Sequence, residues 1–284
     1  MIDNHVMSAV VKIRFIYFLA ILLIFFGISA HSNPIDHTTY DTILQQYVEN
    51  GMVDYRSLKT DRGLLINYLE QIESVDPEDF KTWSVNEQKA FWINVYNAIT
   101  IEGIIRNYPI KYGGLIARTR FPKSSIRQIG KFWDTVFIKV MGKDLTLNDI
   151  EHNILRKEFD DPRIHFVLVC AAMGCPILEN RALFVEDLDE RLDRAAFNFI
   201  TNPEKVRLDR EKNIIYLSSI LEWYKEDFES SESAGRNFGE YGKKERGVIE
   251  FVSRFMPETD REFIVLNLPK IKYLSYDWSL NEKQ

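Results

Sequence analysis

The chain has 284 residues, with 42 Asp and Glu against 36 Lys and Arg, and a net charge of −6 argues against nucleic acid as its main partner. Hydrophobic residues make up 45% of it and aromatics 13%, enough for one compact core. With only two cysteines it is not a disulfide scaffold.

Residues 1–32 read as a secretory signal. Lys12 and Arg14 form a basic flank, residues 15–28 are unbroken apolar chain, and Gly27, Ser29, Ala30 and Ser32 offer cleavage sites, favoured after Ala30 or Ser32. The apolar stretch is shorter than the ~20 residues of a membrane span. No cysteine lies near the cleavage site for lipid modification, and Met7 is an alternative start. The expectation is an exported protein, periplasmic or secreted, with membrane contact only through this segment and anchorage only if it stays uncleaved. Its removal takes away Asp3, Lys12 and Arg14, so the acidic excess grows.

The remainder, residues 33–284, reads as a single α+β (mixed α/β) domain, a mixed or antiparallel sheet packed by several helices. Residues 41–48 and the repeat of Leu64, Leu65, Tyr68, Leu69 and Ile72 predict two core-covering helices, the first ended by Asn50-Gly51. Residues 85 to about 108 form the strongest helix: Ser84 and Glu87 make a capping box, Phe91, Val95, Ala98 and Ile99 one apolar stripe, and Pro109 the stop. Residues 112–136, Gly-rich and basic, read as a long surface loop. A hairpin turns at Gly142-Lys143-Asp144, and Thr146 caps a helix that runs to about Lys157 with Asp149 at its dipole end. On that helix His152 and Arg156 share a face, with Ile150, Ile154 and Leu155 on the buried side.

After Asp160-Asp161-Pro162, the β-branched and aromatic residues 163–169 predict a strand that Gly174 and Pro176 stop before Cys175. A helix over 185–200 and a hairpin of 206–208 with 214–217 follow. Ser219 and Glu222 cap a short helix bearing Trp223, Tyr224 and Phe228, residues 229–247 form a linker, 248–255 a final helix, and 271–278 a terminal strand in the same sheet. There is no internal repeat and no low-complexity tract.

The chemistry concentrates between 151 and 175, where Glu151, His152, His165, Cys170 and Cys175 supply the materials of either nucleophilic catalysis or a thiolate–imidazole metal site. Cys175 lies in a turn just past the expected strand, where a functional group is commonly placed, although a lone cysteine is often a small core residue. Cys170 is expected to pack at the strand end; a bridge to Cys175 is sterically feasible and would deny the site a permanently free nucleophile. His152 is the leading base for Cys175 and His165 the rival, against the plainer reading of hydrogen-bonded structural histidines. Asn94 and Asn97 share a polar face of an apolar helix, so at least one is expected to be buried, buttressing the fold or orienting an imidazole. Trp223, Tyr224 and Asp227 are candidates to line a cleft, and with Arg156 and His165 to bind substrate, against the plainer reading that aromatics at helical spacing are core.

Several ordered motifs resemble the domain of unknown function 547 family. They are Phe91-Trp92-Ile93-Asn94-Val95-Tyr96-Asn97-Ala98, Leu147-Asn148-Asp149-Ile150-Glu151-His152 with Leu155-Arg156, Asp161-Pro162-Arg163-Ile164-His165-Phe166, the Cys170 to Cys175-Pro176 segment, Trp223-Tyr224 with Asp227-Phe228, and Tyr276-Asp277-Trp278-Ser279-Leu280-Asn281. The resemblance implies a shared fold and supplies no reaction. Bacterial members of that family are single-domain and often exported, while plant and animal members attach the domain to other modules. Ala171-Ala172-Met173-Gly174 stands where smaller, more hydroxylated residues are frequent, which leaves substrate preference open.

The leading expectation is an exported cysteine-dependent hydrolase or transferase acting on an amide, peptide or thioester bond. In it Cys175 is the nucleophile, His152 the base, and Asn94, Asn97 or Glu151 the orienter. Both histidines precede Cys175, the reverse of the papain-like order, which weakens that analogy. The alternative is a non-catalytic envelope binding or assembly module; a zinc site of Cys170, Cys175 and a histidine ranks third. No cofactor or metal is called for, the substrate is an unknown small molecule or peptide, and oligomeric state is not legible. Mass spectrometry of envelope-fractionated protein should find an amino terminus near His31 or Asn33; an intact terminus would instead mean an uncleaved anchor.

Overall fold

The computed structural model describes residues 35–229, 238 and 241–283, so the signal expected over 1–32 lies outside the described residues, as do 230–237, 239 and 240 of the expected linker. Helix α1 (Thr38–Tyr47) leads into a hairpin of β1 (Val48–Glu49) and β2 (Met52–Val53). Asn50 and Gly51 both take positive φ there, as a two-residue hairpin turn requires. Short α2 (Tyr55–Thr60), α3 (Gly63–Ser74) and α4 (Pro77–Phe80) follow.

Helix α5 (Val85–Asn107) starts at the expected capping box, with Ser84 accepting from the Glu87 N–H and the Glu87 carboxylate accepting from the Ser84 N–H. It has no single apolar stripe. From Lys89 to Ile105 every side is buried, the pattern of a helix in the middle of a core. Its polar residues are therefore spent on neighbours: Lys89 on Asp161 at 2.8 Å, and Glu102 on Arg62 and Arg106, both at 2.6 Å. Asn94, 2% exposed, donates to Leu183 O and accepts from Leu183 N. Asn97, 6% exposed, donates to Val167 O at 2.9 Å and accepts from Val169 N at 2.9 Å.

The stretch 112–136 is more ordered than a plain surface loop, with α6 (Leu115–Arg120) and two 3-10 turns that bury Ile126, Gln128 and Phe132. Strands β3 (Lys139–Val140) and β4 (Lys143–Asp144) form a hairpin where one is expected, but it turns at Met141 and Gly142 with positive φ, so Lys143 and Asp144 are strand rather than turn. Thr146 and Asp149 exchange reciprocal cap bonds. The helix that follows is a wide π-helix over Asp149–Leu155, continued by α7 (Arg156–Glu158), rather than a regular α-helix.

The strand expected over 163–169 is absent. Asp161 caps the Arg163 N–H, and Pro162 is set for a helical first turn, so Pro162–Phe166 forms a 3-10 helix despite its β-branched and aromatic side chains. Beyond it, the Asn97 amide takes the backbone groups of Val167 and Val169 that a neighbouring strand would have taken. Cys175 accordingly lies in a loop between helices.

Helix α8 (Leu188–Ile200) precedes the second sheet, in which β5 (Val206–Asp209) pairs antiparallel with β6 (Ile214–Leu217). Helix α9 (Ser219–Trp223) is capped by Ser218, which accepts from the Ile220 N–H, while the Ser219 hydroxyl donates to Leu274 O. Helix α10 (Lys243–Arg254) begins inside the expected linker, and α11 (Glu258–Asn267) was not legible in the sequence pattern. Together they return the chain so that β7 (Lys270–Tyr273) joins β6 in parallel, which makes this small sheet mixed. The fold is thus a mixed α+β domain. One core surrounds α5; a second, around α8, the sheet and α10, meets it along a seam to which Tyr276 contributes on both sides.

After β7 the chain has no further strand up to 278. It runs as a strap: Gly174 N donates to Asp277 O, Met173 N to Ser279 O, Asn281 N to Ala171 O, and Val53 N to Asn281 O. Replacing Asn97 with Leu strands the Val167 and Val169 groups in the core, so the unfolding midpoint should fall by the equivalent of about 1–3 kcal/mol. Chemical denaturation of the two proteins checks this, and an unchanged midpoint would contradict it.

Candidate functional site

The seam between the two cores opens into a cavity of about 390 Å³. Its floor carries Glu151 and His152 from the π-helix, His165 from the 3-10 helix, and both cysteines. Its walls are Tyr96, Trp133, Trp223, Tyr224, Tyr276 and Trp278, with Arg127 at one side. A π-helix has more residues per turn than an α-helix, and such turns are frequent at functional sites. Here it brings the consecutive residues Glu151 and His152 to one cavity.

Cys170 and Cys175 are joined by a disulfide. The expectation of a free Cys175 thiol is corrected for this form of the protein, and the zinc reading loses both thiolates to the bridge. The Tyr276 hydroxyl lies 3.0 Å from the Cys170 sulfur and 3.1 Å from that of Cys175. A Cβ on Gly174 would come within 2.8 Å of the Tyr276 ring, so the glycine is what admits that ring to the bridge. Lys205 holds the same loop from below, donating to the carbonyls of Met173 and Gly174 at 2.9 Å each.

Arg156 donates to both Asp227 oxygens, at 2.6 and 2.7 Å, and to His152 Nδ1 at 3.0 Å. A guanidinium only donates, so His152 Nδ1 is the acceptor and a neutral ring carries its proton on Nε2. His152 in this arrangement offers a donor, not the base expected of it. His165 Nε2 lies 2.6 Å from Asp227 Oδ2, and its ring stacks on Tyr224 at 4.0 Å between centroids. Burial alone would raise the Asp227 carboxyl, but the hydrogen bonds from His165 and Arg156 outweigh it and hold the group down to about 2. An ionised Asp227 accepts the Nε2–H of His165, leaving the lone pair on Nδ1.

Glu151 is buried and accepts from the Tyr96 hydroxyl at 2.8 Å. Burial, followed by the charge of Glu151, pushes Tyr224 well above its usual range. Asn94 and Asn97 do not orient an imidazole, because both ends of each amide are taken by backbone. Asp227 does so instead. Trp223, Tyr224 and His165 line the cavity, whereas Arg156 and Asp227 do not and reach it only through the histidines they bond.

Residues 80–200 match the family described as Protein of unknown function, DUF547. The chain resembles DUF547. No curated protein and no solved structure matches it. The DUF547 match holds Glu151, His152, His165 and both cysteines, and it ends before Asp227, Tyr276 and Trp278 complete the site. Tyr96, Arg127, Trp133, Tyr276 and Trp278 were not singled out as site residues. Tyr96, Tyr276 and Trp278 carry only the signal of aromatic-rich motifs, which core packing produces equally well, and Arg127 and Trp133 fall in the stretch 112–136 that reads as a surface loop.

A carboxyl held below its unfolded value contributes stability above that value and loses it as pH falls through the folded one. The contribution of Asp227, about 2 kcal/mol, should therefore be present above about pH 4 and vanish by about pH 2. Asp227→Asn should be the less stable protein at neutral pH, with the gap to wild type closing across that window in urea unfolding. A gap that is constant with pH would remove this assignment.

Proposed function

We propose that the cavity is the substrate site of an exported cysteine-dependent hydrolase or transferase acting on an amide, peptide or thioester bond. The bridged form is its resting state, and His165, oriented by Asp227, is the base. The observation that carries this reading is the 2.6 Å His165–Asp227 pair lining and backing the same cavity as both sulfurs. A carboxylate behind an imidazole fixes its tautomer and stabilises the imidazolium that forms when it takes a proton. An oxidising compartment outside the cytoplasm accounts for the bridge.

Activation requires an external dithiol. It reduces the bridge to two thiols and is itself oxidised to a disulfide, by exchange through a mixed disulfide. His165 Nδ1 then takes the Cys175 proton, and the thiolate attacks the substrate carbonyl carbon. Collapse of the tetrahedral adduct expels the amine or thiol with the proton from His165, leaving an acyl-enzyme. Water, or an acceptor nucleophile in a transferase, releases the acyl group with His165 again as base. The Tyr276 hydroxyl, already beside both sulfurs, favours the thiolate. His152 Nε2–H supplies a donor for the developing oxyanion.

A second reading has its own observation. Trp223 and Trp278 stack at 5.8 Å with Tyr276 at 4.8 Å from Trp223, a rim suited to a ring-bearing ligand held without chemistry. Thiol labelling separates the two. In reduced, folded protein, iodoacetamide should label Cys175 faster than Cys170 near neutral pH, and His165→Ala should slow it toward an ordinary thiol. His152→Ala should leave that rate largely unchanged. If Cys175 reacts no faster than a model thiol and neither histidine matters, the binding module is the better account.

A further inference from the structure

The segment 111–133 carries six basic residues, Lys111, Arg118, Arg120, Lys123, Arg127 and Lys131, and no acidic one, in a chain whose net charge is −6. All six are exposed. None forms an ion pair among the described residues, although Arg118 and Lys123 both sit over the Tyr112 ring. At the tip of this lobe, α6 buries none of its residues, and Leu115 and Ile116 are 79% and 72% exposed.

This exposure is built rather than slack. Gln128 is buried and donates through one amide nitrogen to the carbonyls of Ala117, Phe121 and Pro122, while its oxygen accepts from Gly113 N. A Cβ on Gly113 would fall 2.3 Å from Gln128 O, so the loop closes on the glutamine backbone only with glycine there. The side chain of Gln128 thus pins both ends of the lobe, and a pinned lobe presents its two aliphatic side chains outward with arginines one turn away.

We propose that this lobe docks on an anionic lipid bilayer, with Leu115 and Ile116 entering the headgroup boundary and the surrounding Lys and Arg side chains held at the phosphates. Charge complementarity argues for an anionic surface. The exposed aliphatic pair argues for a lipid one, because exposed apolar side chains flanked by arginines are accommodated at a bilayer interface. An acidic protein would be satisfied by the charges and gives Leu115 and Ile116 no role. The proposal does not depend on the reaction assigned to the cavity.

Hydrogen exchange of the full chain on vesicles tests it, read at the amides of 112–121 so that binding through residues 15–28 does not contribute. Vesicles containing phosphatidylglycerol should protect these amides, and phosphatidylcholine alone should not. Leu115→Ser with Ile116→Ser should abolish the protection. Arg118→Glu with Arg120→Glu should weaken it about thirtyfold or more in lipid concentration, since each basic side chain near an anionic bilayer contributes about a factor of five. No protection on anionic vesicles, or equal protection on neutral ones, would overturn the proposal. So would poly-glutamate protecting the segment as well as vesicles do, irrespective of the Ser substitutions, which would point to an acidic polypeptide partner instead.

Discussion

Asn94 and Asn97 sit three residues apart on a helix buried on every side, and each uses both ends of its amide on another segment's backbone. A buried amide left unpaired costs about 1–3 kcal/mol, so these contacts constrain where the partner segments can lie. The 167–169 segment is held by side-chain hydrogen bonds instead of a strand. Leu183 is fixed in the same way, which sets the approach to α8. With Lys89 on Asp161, three polar positions of one helix locate the chain on both sides of the cysteine loop.

That arrangement leaves a seam where the two cores meet, and the cavity is what remains open in it. The C-terminal strap then crosses the cysteine loop by backbone bonds to Ala171, Met173 and Gly174 and delivers Tyr276 to the disulfide. Aromatic rings from four separate parts of the chain form the walls. Within them the polar groups are divided by partner. Glu151 is held by tyrosine, His152 by arginine and His165 by carboxylate, so two imidazoles lining one cavity are set in opposite hydrogen-bonding roles.

The charge distribution follows a related division. The acidic residues in excess over the whole chain are missing from 111–133, where the exposed cations lack acidic partners among the described residues. Gln128 makes that stretch a defined feature of the surface, and Arg127 and Trp133 from the same stretch reach the cavity wall. The cavity and the basic lobe therefore share a scaffold and one cation, Arg127, while Leu115, Ile116 and the other five basic side chains belong to the lobe alone.

Local rules were decisive where the structure is local. The Ser84–Glu87 capping box, the Asn50-Gly51 turn, the 206–217 hairpin and the burial of Asn94 and Asn97 follow from contacts within a few residues, or from a polar group stranded on an apolar helix. The concentration of chemistry at 151–175 was legible for the same reason, and so was the sterically feasible bridge between Cys170 and Cys175. What the sequence could not supply was the choice between competing partners. Residues 163–169 have the side chains of a strand, yet their backbone bonds went to a cap and to an asparagine 70 residues away. His152 and His165 look alike as bases along the chain, and Arg156 and Asp227, brought together across 71 residues, made one a donor and the other an acceptor. Such outcomes rest on long-range hydrogen bonds whose geometry exists only once the buried helix has drawn its segments around it.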